Sequence, residues 1–240
     1  MFQPEVHREI HEFFSGGVRC LLLPDSAGFE GLDPHALEAA LSPQNRQILK
    51  SITNPARRSE FLRTRFLVRL GAGLTSDPQR DSEGLIQWPV ELCGSVSHSL
   101  GNVLVATSQR TSYVSIGVDM ERPSRISDKL AEKICTDFER NLIATGAVSL
   151  AEVFSAKEAL FKCHYSLGRR RFWFLDAEIS AVKVHLGTKK LDLRVLIDTS
   201  AITPANTLTR VDILAMPIGE FILALAQIPT TSKSMDHVDG

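Results

Sequence analysis

Gly117-Val118-Asp119-Met120-Glu121, followed by Phe154-Ser155-Ala156-Lys157-Glu158-Ala159-Leu160-Phe161-Lys162, is the pair of segments on which the reading of this chain turns. From Tyr113 to Glu121 the pattern is that of a strand. Alternate residues of a strand share a face, so Val114, Ile116, Val118 and Met120 fall on one side and Ser115, Gly117, Asp119 and Glu121 on the other. Asp119 and Glu121 can therefore share a hard cation such as Mg²⁺, which takes oxygen ligands and completes its shell with water or substrate phosphate. The second segment has helical spacing, and Glu158 and Lys162 stand four residues apart on one face. Three carboxylates and a lysine can thus converge on one cation and one phosphate. Each segment alone also has a plainer reading. The first can be two solvated acids at a strand end, and the second a surface ion pair of about 0.3–0.5 kcal/mol.

The rest of the composition narrows the setting. A chain of 240 residues that is 43% hydrophobic and 23% charged can bury a substantial core, as one large domain or two halves. Mean hydropathy is −0.01, and no apolar run approaches the ~20 residues of a spanning helix. The start Met1-Phe2-Gln3-Pro4-Glu5 lacks the basic stretch and apolar core of a secretory signal, so a cytoplasmic location and no membrane insertion are expected. With 27 basic and 28 acidic residues there is no global positive field, which speaks against nucleic acid as a partner. Cys20, Cys93, Cys135 and Cys163 form no CxxC pair and read as buried or free thiols rather than a zinc site.

Outward from the two segments, Val18 to Leu23 reads as a buried strand, and Asp33-Pro34 as the start of a helix through Leu41 with another helix after it. Pro55 to Leu74 carries apolar residues at helical spacing, with Arg57, Arg58, Arg63, Arg65 and Arg69 among them. Residues 75–89 read as an exposed loop, and Leu92 to His98, Val103 to Thr107 and Tyr113 to Glu121 as strands of a small antiparallel sheet. Ser124 to Ile143 reads as one or two helices. Ser149 and Glu152 resemble a capping box that opens the helix of Glu158, running to about Leu167. Strands follow at Phe172 to Val184, Leu191 to Ile197, Val211 to Met216 and Phe221 to Ile228. The order of helix then strands occurs twice, consistent with two α+β halves. The expected division is 1–112 and 113–229, with 230–240 a polar, disordered tail.

Other chemistry-bearing residues lie outside the two segments. Ser97 and His98 end a strand before a Gly-containing turn, where they can meet a phosphate, although a lone histidine is more often structural or solvated. His7 and His11 are four apart but lack a third ligand, and a solvated N-terminal helix is the better reading. Arg57, Arg65 and Arg69 fit one stripe along a helix, suited to phosphate or simply to solvent. Arg169-Arg170-Arg171 reads first as a solvated loop.

Taken together, five ordered blocks resemble the 4'-phosphopantetheinyl transferases of the surfactin-synthetase type, in particular the subgroup associated with siderophore synthesis. The blocks are Arg57-Arg58-Ser59-Glu60-Phe61 with Arg65 and Arg69, Trp88-Pro89, Gly94-Ser95-Val96-Ser97-His98, Gly117 to Glu121, and Phe154 to Lys162. They cover about residues 57–176, with Phe174 to Ala177 resembling a later block. Thr64 stands where many relatives have glycine, Arg80-Asp81-Ser82-Glu83-Gly84 lacks the usual basic-glycine-proline pattern, and Ser166 replaces a frequent proline.

The resemblance implies two similar α+β subdomains forming a pseudo-dimer in one chain, with coenzyme A and Mg²⁺ in the cleft between them. It implies transfer of phosphopantetheine from coenzyme A to a serine of an apo acyl, aryl or peptidyl carrier protein of fatty-acid, polyketide or nonribosomal-peptide synthases; the two-half architecture points to a monomer. Carried over by position, Asp119, Glu121 and Glu158 would ligate Mg²⁺, Lys162 would neutralise phosphate or assist proton transfer, and Glu158 is also a candidate base. Arg57, Arg65, Arg80, Ser97 and His98 would meet the nucleotide phosphates. Two other readings stay open: a metal-dependent nucleotide phosphohydrolase using the same acids, and a non-catalytic coenzyme A or carrier-protein binding module.

Overall fold

A computed structural model of the chain describes residues 10–25, 33–168, 171–185, 187–196 and 210–230. It is an α+β fold with two antiparallel sheets. The first contains β1 (His11–Ser15), β2 (Val18–Leu23), β3 (Leu92–Ser99) and β4 (Asn102–Gln109), in the order β1-β2-β4-β3. The second contains β5 (Tyr113–Glu121), β6 (Ala177–His185), β7 (Thr188–Val195), β8 (Arg210–Ile218) and β9 (Phe221–Pro229), in the order β5-β9-β8-β7-β6. In each sheet the strand that precedes the long helix pairs with the last strand of that sheet, β2 with β4 and β5 with β9.

The helices are α1 (Pro34–Ala39), α2 (Pro43–Ser51), α3 (Pro55–Gly71), α4 (Ala131–Ile134), α5 (Asp137–Ala144) and α6 (Leu150–Gly168). α1, α2 and α3 each open on a proline behind a side-chain cap, respectively Asp33, Ser42 and Asn54. Proline lacks the donor that a first turn cannot use, while the cap satisfies one that it can. α6 opens on the expected capping box: Glu152 N donates to Ser149 Oγ (3.2 Å) and Ser149 N to Glu152 Oε2 (2.6 Å).

Alternation in the strands assembles the layers. Leu21, Leu23, Val103 and Val105 face α3, while Cys20, Leu22, Leu104 and Ala106 face Ile116, Val118, Met120, Leu223 and Leu225 of the other sheet. α6 covers the outer face of the second sheet, over Leu191, Leu193, Ile213, Ala224 and Ala226. The layers therefore run helix, sheet, sheet, helix. Among the described residues no helix is long and apolar enough to cross a membrane.

β3 and β5 meet at the seam between the sheets without pairing as strands. Serine hydroxyls of β3 take the place of ladder carbonyls: Val118 N donates to Ser95 Oγ (3.0 Å) and Met120 N to Ser97 Oγ (3.2 Å). The edge of β5 is thus satisfied by side chains.

The structure corrects several sequence expectations. His11 begins β1 rather than lying on a helix, because Gly16 and Gly17, both at positive φ (57° and 84°), turn the chain into a hairpin with β2; His7 lies outside the described residues. Phe172 to Asp176 is not strand. Phe172 packs edge-on to Phe161, Phe174 stacks on Phe154, and β6 starts only at Ala177. The segment 124–143 is broken into two 3₁₀ turns, α4 and α5. Ile197 and the tail beyond Thr230 fall outside the described residues.

Candidate active site

β5 and α6 position the acids. Gly117 is required here: a Cβ on it would lie 1.9 Å from the Ala159 carbonyl oxygen and 2.6 Å from Cys163 N. Its absence lets α6 settle onto β5, and Ser115 continues the contact by donating to Cys163 O (2.7 Å). Two residues along the same strand face, this close approach brings Lys162 onto Asp119.

Asp119 is 4% exposed. Its Oδ1 accepts from Lys162 Nζ (2.8 Å) and from Ser97 Oγ (3.0 Å), while Oδ2 is buried with no hydrogen-bond partner. Lys162 Nζ also donates to Val118 O (3.1 Å) and Ser97 Oγ (3.2 Å). Glu121 Oε2 accepts from Ser99 Oγ (3.2 Å). Burial raises the pKa of Glu121, and Asp119 adds to the rise. Burial likewise raises that of Glu158; Lys162 opposes the rise, and Asp119 and Glu121 reinforce it. Asp119, Glu121, Glu158 and Lys162 therefore form one electrostatic unit.

Among the described residues, no three His, Cys, Asp or Glu side chains stand close enough to hold a metal as they are. The ammonium of Lys162 occupies Asp119 Oδ1 instead. The donor chemistry nonetheless fits a hard cation: all the donors are carboxylate oxygens, one of them is buried and unpartnered, and the acids are held together against their mutual repulsion.

Beside the acids a cleft of about 1010 Å³ opens between α3 and α6, lined by Arg57, Glu60, Arg80, Trp88, His98 and Lys162 among others. Trp88 lies against Gly94, where a Cβ would come within 2.5 Å of the indole. His98 stands 3.7 Å from Glu60. A smaller apolar slot of about 180 Å³ borders Glu158, walled by Phe161, Phe172, Trp173 and Phe174.

The structure divides the expected phosphate ligands. Arg57, Arg80 and His98 reach the cleft. Ser97 and His98 are neighbours on a strand, so they point to opposite faces, and Ser97 joins the acids rather than His98. Arg65 is not on the cleft wall. Its side chain is 1% exposed, its Nε donates to Asp77 Oδ2 (2.9 Å) and its Nη2 to Pro78 O. Arg69 is also buried, so α3 does not present the three arginines as one open stripe.

Sequence reasoning missed four contributors. Asp77 is the buried anion that receives Arg65 and Asn45. Ser95 and Ser99 complete a row with Ser97, legible as serines at every second position of a strand. Lys157, quoted only as part of a motif, is a buried strut: its Nζ donates to Glu139 Oε2 (2.6 Å), Ile134 O (2.7 Å) and Phe174 O (2.9 Å).

Fold and site together describe an α+β protein with acids and a lysine at a seam beside a basic cleft. Residues 115–201 match the 4'-phosphopantetheinyl transferase superfamily. The chain is 29% identical over 189 residues to 4'-phosphopantetheinyl transferase PptT of Mycobacterium tuberculosis, covering 74% of this chain and 80% of that one. It is 28% identical over 158 residues to 4'-phosphopantetheinyl transferase Npt of Nocardia iowensis, covering 63% and 68%. Among solved structures, Thermotoga maritima holo-[acyl-carrier-protein] synthase is similar over 48% of this chain and 63% of its own, with 23% identity and a TM-score of 0.35. The sequence matches are thus to proteins named 4'-phosphopantetheinyl transferases, and the chain is similar to transferase enzymes.

Proposed function

We propose that this chain transfers 4'-phosphopantetheine from coenzyme A to a serine hydroxyl of an apo acyl, aryl or peptidyl carrier protein, with Mg²⁺ as cofactor. The observation that carries this reading is the joint placement of Asp119, Glu121, Glu158 and Lys162 at the head of a basic cleft large enough for a nucleotide. Asp119, Glu121 and Glu158 would hold the metal, which supplies charge neutralisation at the pyrophosphate.

The protein's own groups do the rest. Arg57, Arg80 and His98 line the cleft where the nucleotide phosphates would lie, and Lys162 offers its ammonium to the pyrophosphate. The apolar slot beside Glu158 suits the pantetheine arm. The serine oxygen attacks the β-phosphorus, the bond from that phosphorus to the bridging oxygen breaks, and adenosine 3',5'-bisphosphate leaves with the electron pair. Glu158 takes the serine proton; burial raises its pKa and so makes its carboxylate a stronger base than an exposed one.

We take the halves as 1–112 and 113–229, each supplying its own sheet, and the working form as a cytoplasmic monomer of the siderophore-associated subgroup, serving fatty-acid, polyketide or nonribosomal-peptide carriers. Product chromatography tests the reaction. Adenosine 3',5'-bisphosphate should accumulate from coenzyme A only when an apo carrier protein is present. Release without a carrier would mean water is the nucleophile and would replace transfer by hydrolysis.

A further inference from the structure

The loop that departs from the family pattern, Arg80-Asp81-Ser82-Glu83-Gly84, does something specific in this chain. It belongs to the first half but supplies one wall of the cleft through Arg80, Asp81, Gly84, Leu85, Ile86 and Gln87. It is a folded unit rather than a loose connection. Asp81 Oδ1 accepts from Glu83 N and Leu85 N, both at 2.9 Å, and Asp81 N donates to Leu85 O (2.9 Å). Arg80 and Ile86 form an isolated bridge, and Gln44 grips the base by donating to Arg80 O (3.0 Å) and accepting from Arg80 N (2.8 Å).

Across the cleft, the Tyr165 hydroxyl on α6 donates to Glu83 Oε2 (2.9 Å). Its partners place Tyr165 on the ridge between the two cavities. Its ring stacks on Phe161 (centroids 5.4 Å apart) and lies under the Arg171 guanidinium (5.9 Å), both of which wall the apolar slot. Its helical neighbours Lys162 and Ser166 line the large cleft.

We propose that Glu83 and Tyr165 form a latch across the cleft, tying the loop of the first half to the catalytic helix of the second and setting how fast coenzyme A enters and leaves. The ligand assignment rests on the function proposed above; the latch itself does not. The loop is tied at its tip by Glu83 and held at its base by Gln44, so loss of the Glu83–Tyr165 bond loosens the tip at Glu83, Gly84 and Leu85 while Arg80 stays anchored. Both residues act as positioning groups. A single hydrogen bond to a carboxylate contributes modestly, so a several-fold effect is expected rather than loss of binding.

Two measurements on the full chain test this. In the ligand-free protein, Tyr165→Phe, which keeps the ring stack, should speed amide hydrogen exchange at Glu83, Gly84 and Leu85 several-fold. Unchanged exchange there overturns the latch, whatever the cleft binds. In stopped-flow experiments following tryptophan fluorescence, coenzyme A should dissociate several-fold faster from Tyr165→Phe and from Glu83→Ala, with Glu83→Gln nearer the parent because it keeps an acceptor. The double variant Tyr165→Phe/Glu83→Ala should be no faster than Glu83→Ala alone. Additive effects, or parental dissociation rates in both single variants, overturn the gating role. Failure of the parent protein to bind coenzyme A, with the exchange effect present, overturns the proposed function and the gating while the latch stands.

Discussion

At the scale of single residues, the site is built from charges that the fold holds at a cost. Burial lifts the pKa of Glu158 above that of an exposed carboxyl, so its ionised form is disfavoured in the folded state relative to the unfolded one. The sign follows by linkage. The penalty is absent below the unfolded pKa and fully present above the folded one, so stability is gained as pH falls through that window. In EDTA, Glu158→Gln should therefore raise the melting temperature at pH 7, with the gain vanishing near pH 4; a gain independent of pH would contradict the assignment. If Glu158 is the base, the same variant should lose about 10²–10⁴-fold in kcat/KM with a parental circular dichroism spectrum. The thiols form the opposite case. Burial pushes Cys20 and Cys163 up to about 12 and Cys93 and Cys135 up to about 11, so a thiol reagent at pH 8 should modify none of the four until denaturant is added. Titration of a thiol in the native protein would show that the core is looser than described.

At the scale of elements, contact between β5 and α6 brings Lys162 onto Asp119. Gly117→Ala places a methyl against the Ala159 carbonyl, and the overpacking should cost about 1–3 kcal/mol or more in denaturant unfolding together with most of the activity. Parental stability would mean that the helix sits elsewhere. Lys157→Met leaves Glu139 buried and uncompensated, since the pair is 1% and 0% exposed, and should cost about 3–5 kcal/mol. These elements were also the most legible in the sequence. β5 runs from Tyr113 to Glu121 as its alternation indicates, and the Ser149-Glu152 box opens α6. Alternation fixes faces, so it placed Asp119 and Glu121 with the helix; it equally separates Ser97 from His98, which reading them as one motif overlooked. The Phe172 to Asp176 run defeated pattern reading because aromatic residues serve a strand or a loop packed on a helix equally well, and only the positions of Phe154 and Phe161 decide between them. Arg65 shows the same limit: its buried partner Asp77 lies in a loop twelve residues on, with no periodicity to announce the pair.

At the scale of the molecule, two sheets pack face to face with a long helix outside each, and the seam where β3 meets β5 carries the proposed site. The proposed site draws on both sheets, because Ser95, Ser97 and Ser99 come from the first, Asp119 and Glu121 from the second, and Glu158 and Lys162 from the helix that covers the second. The cleft beside it has walls from α3, β3, α6 and the loop that Glu83 ties to Tyr165. The central claim is that this arrangement performs metal-dependent transfer of phosphopantetheine. The most direct test is the intact mass of an apo carrier protein incubated with this protein, coenzyme A and Mg²⁺, beside a sample in EDTA and one with Glu158→Gln. The account predicts a gain of one phosphopantetheine on the carrier serine in the first sample alone. An unchanged mass across acyl, aryl and peptidyl carriers, from a protein that still binds coenzyme A, would contradict it.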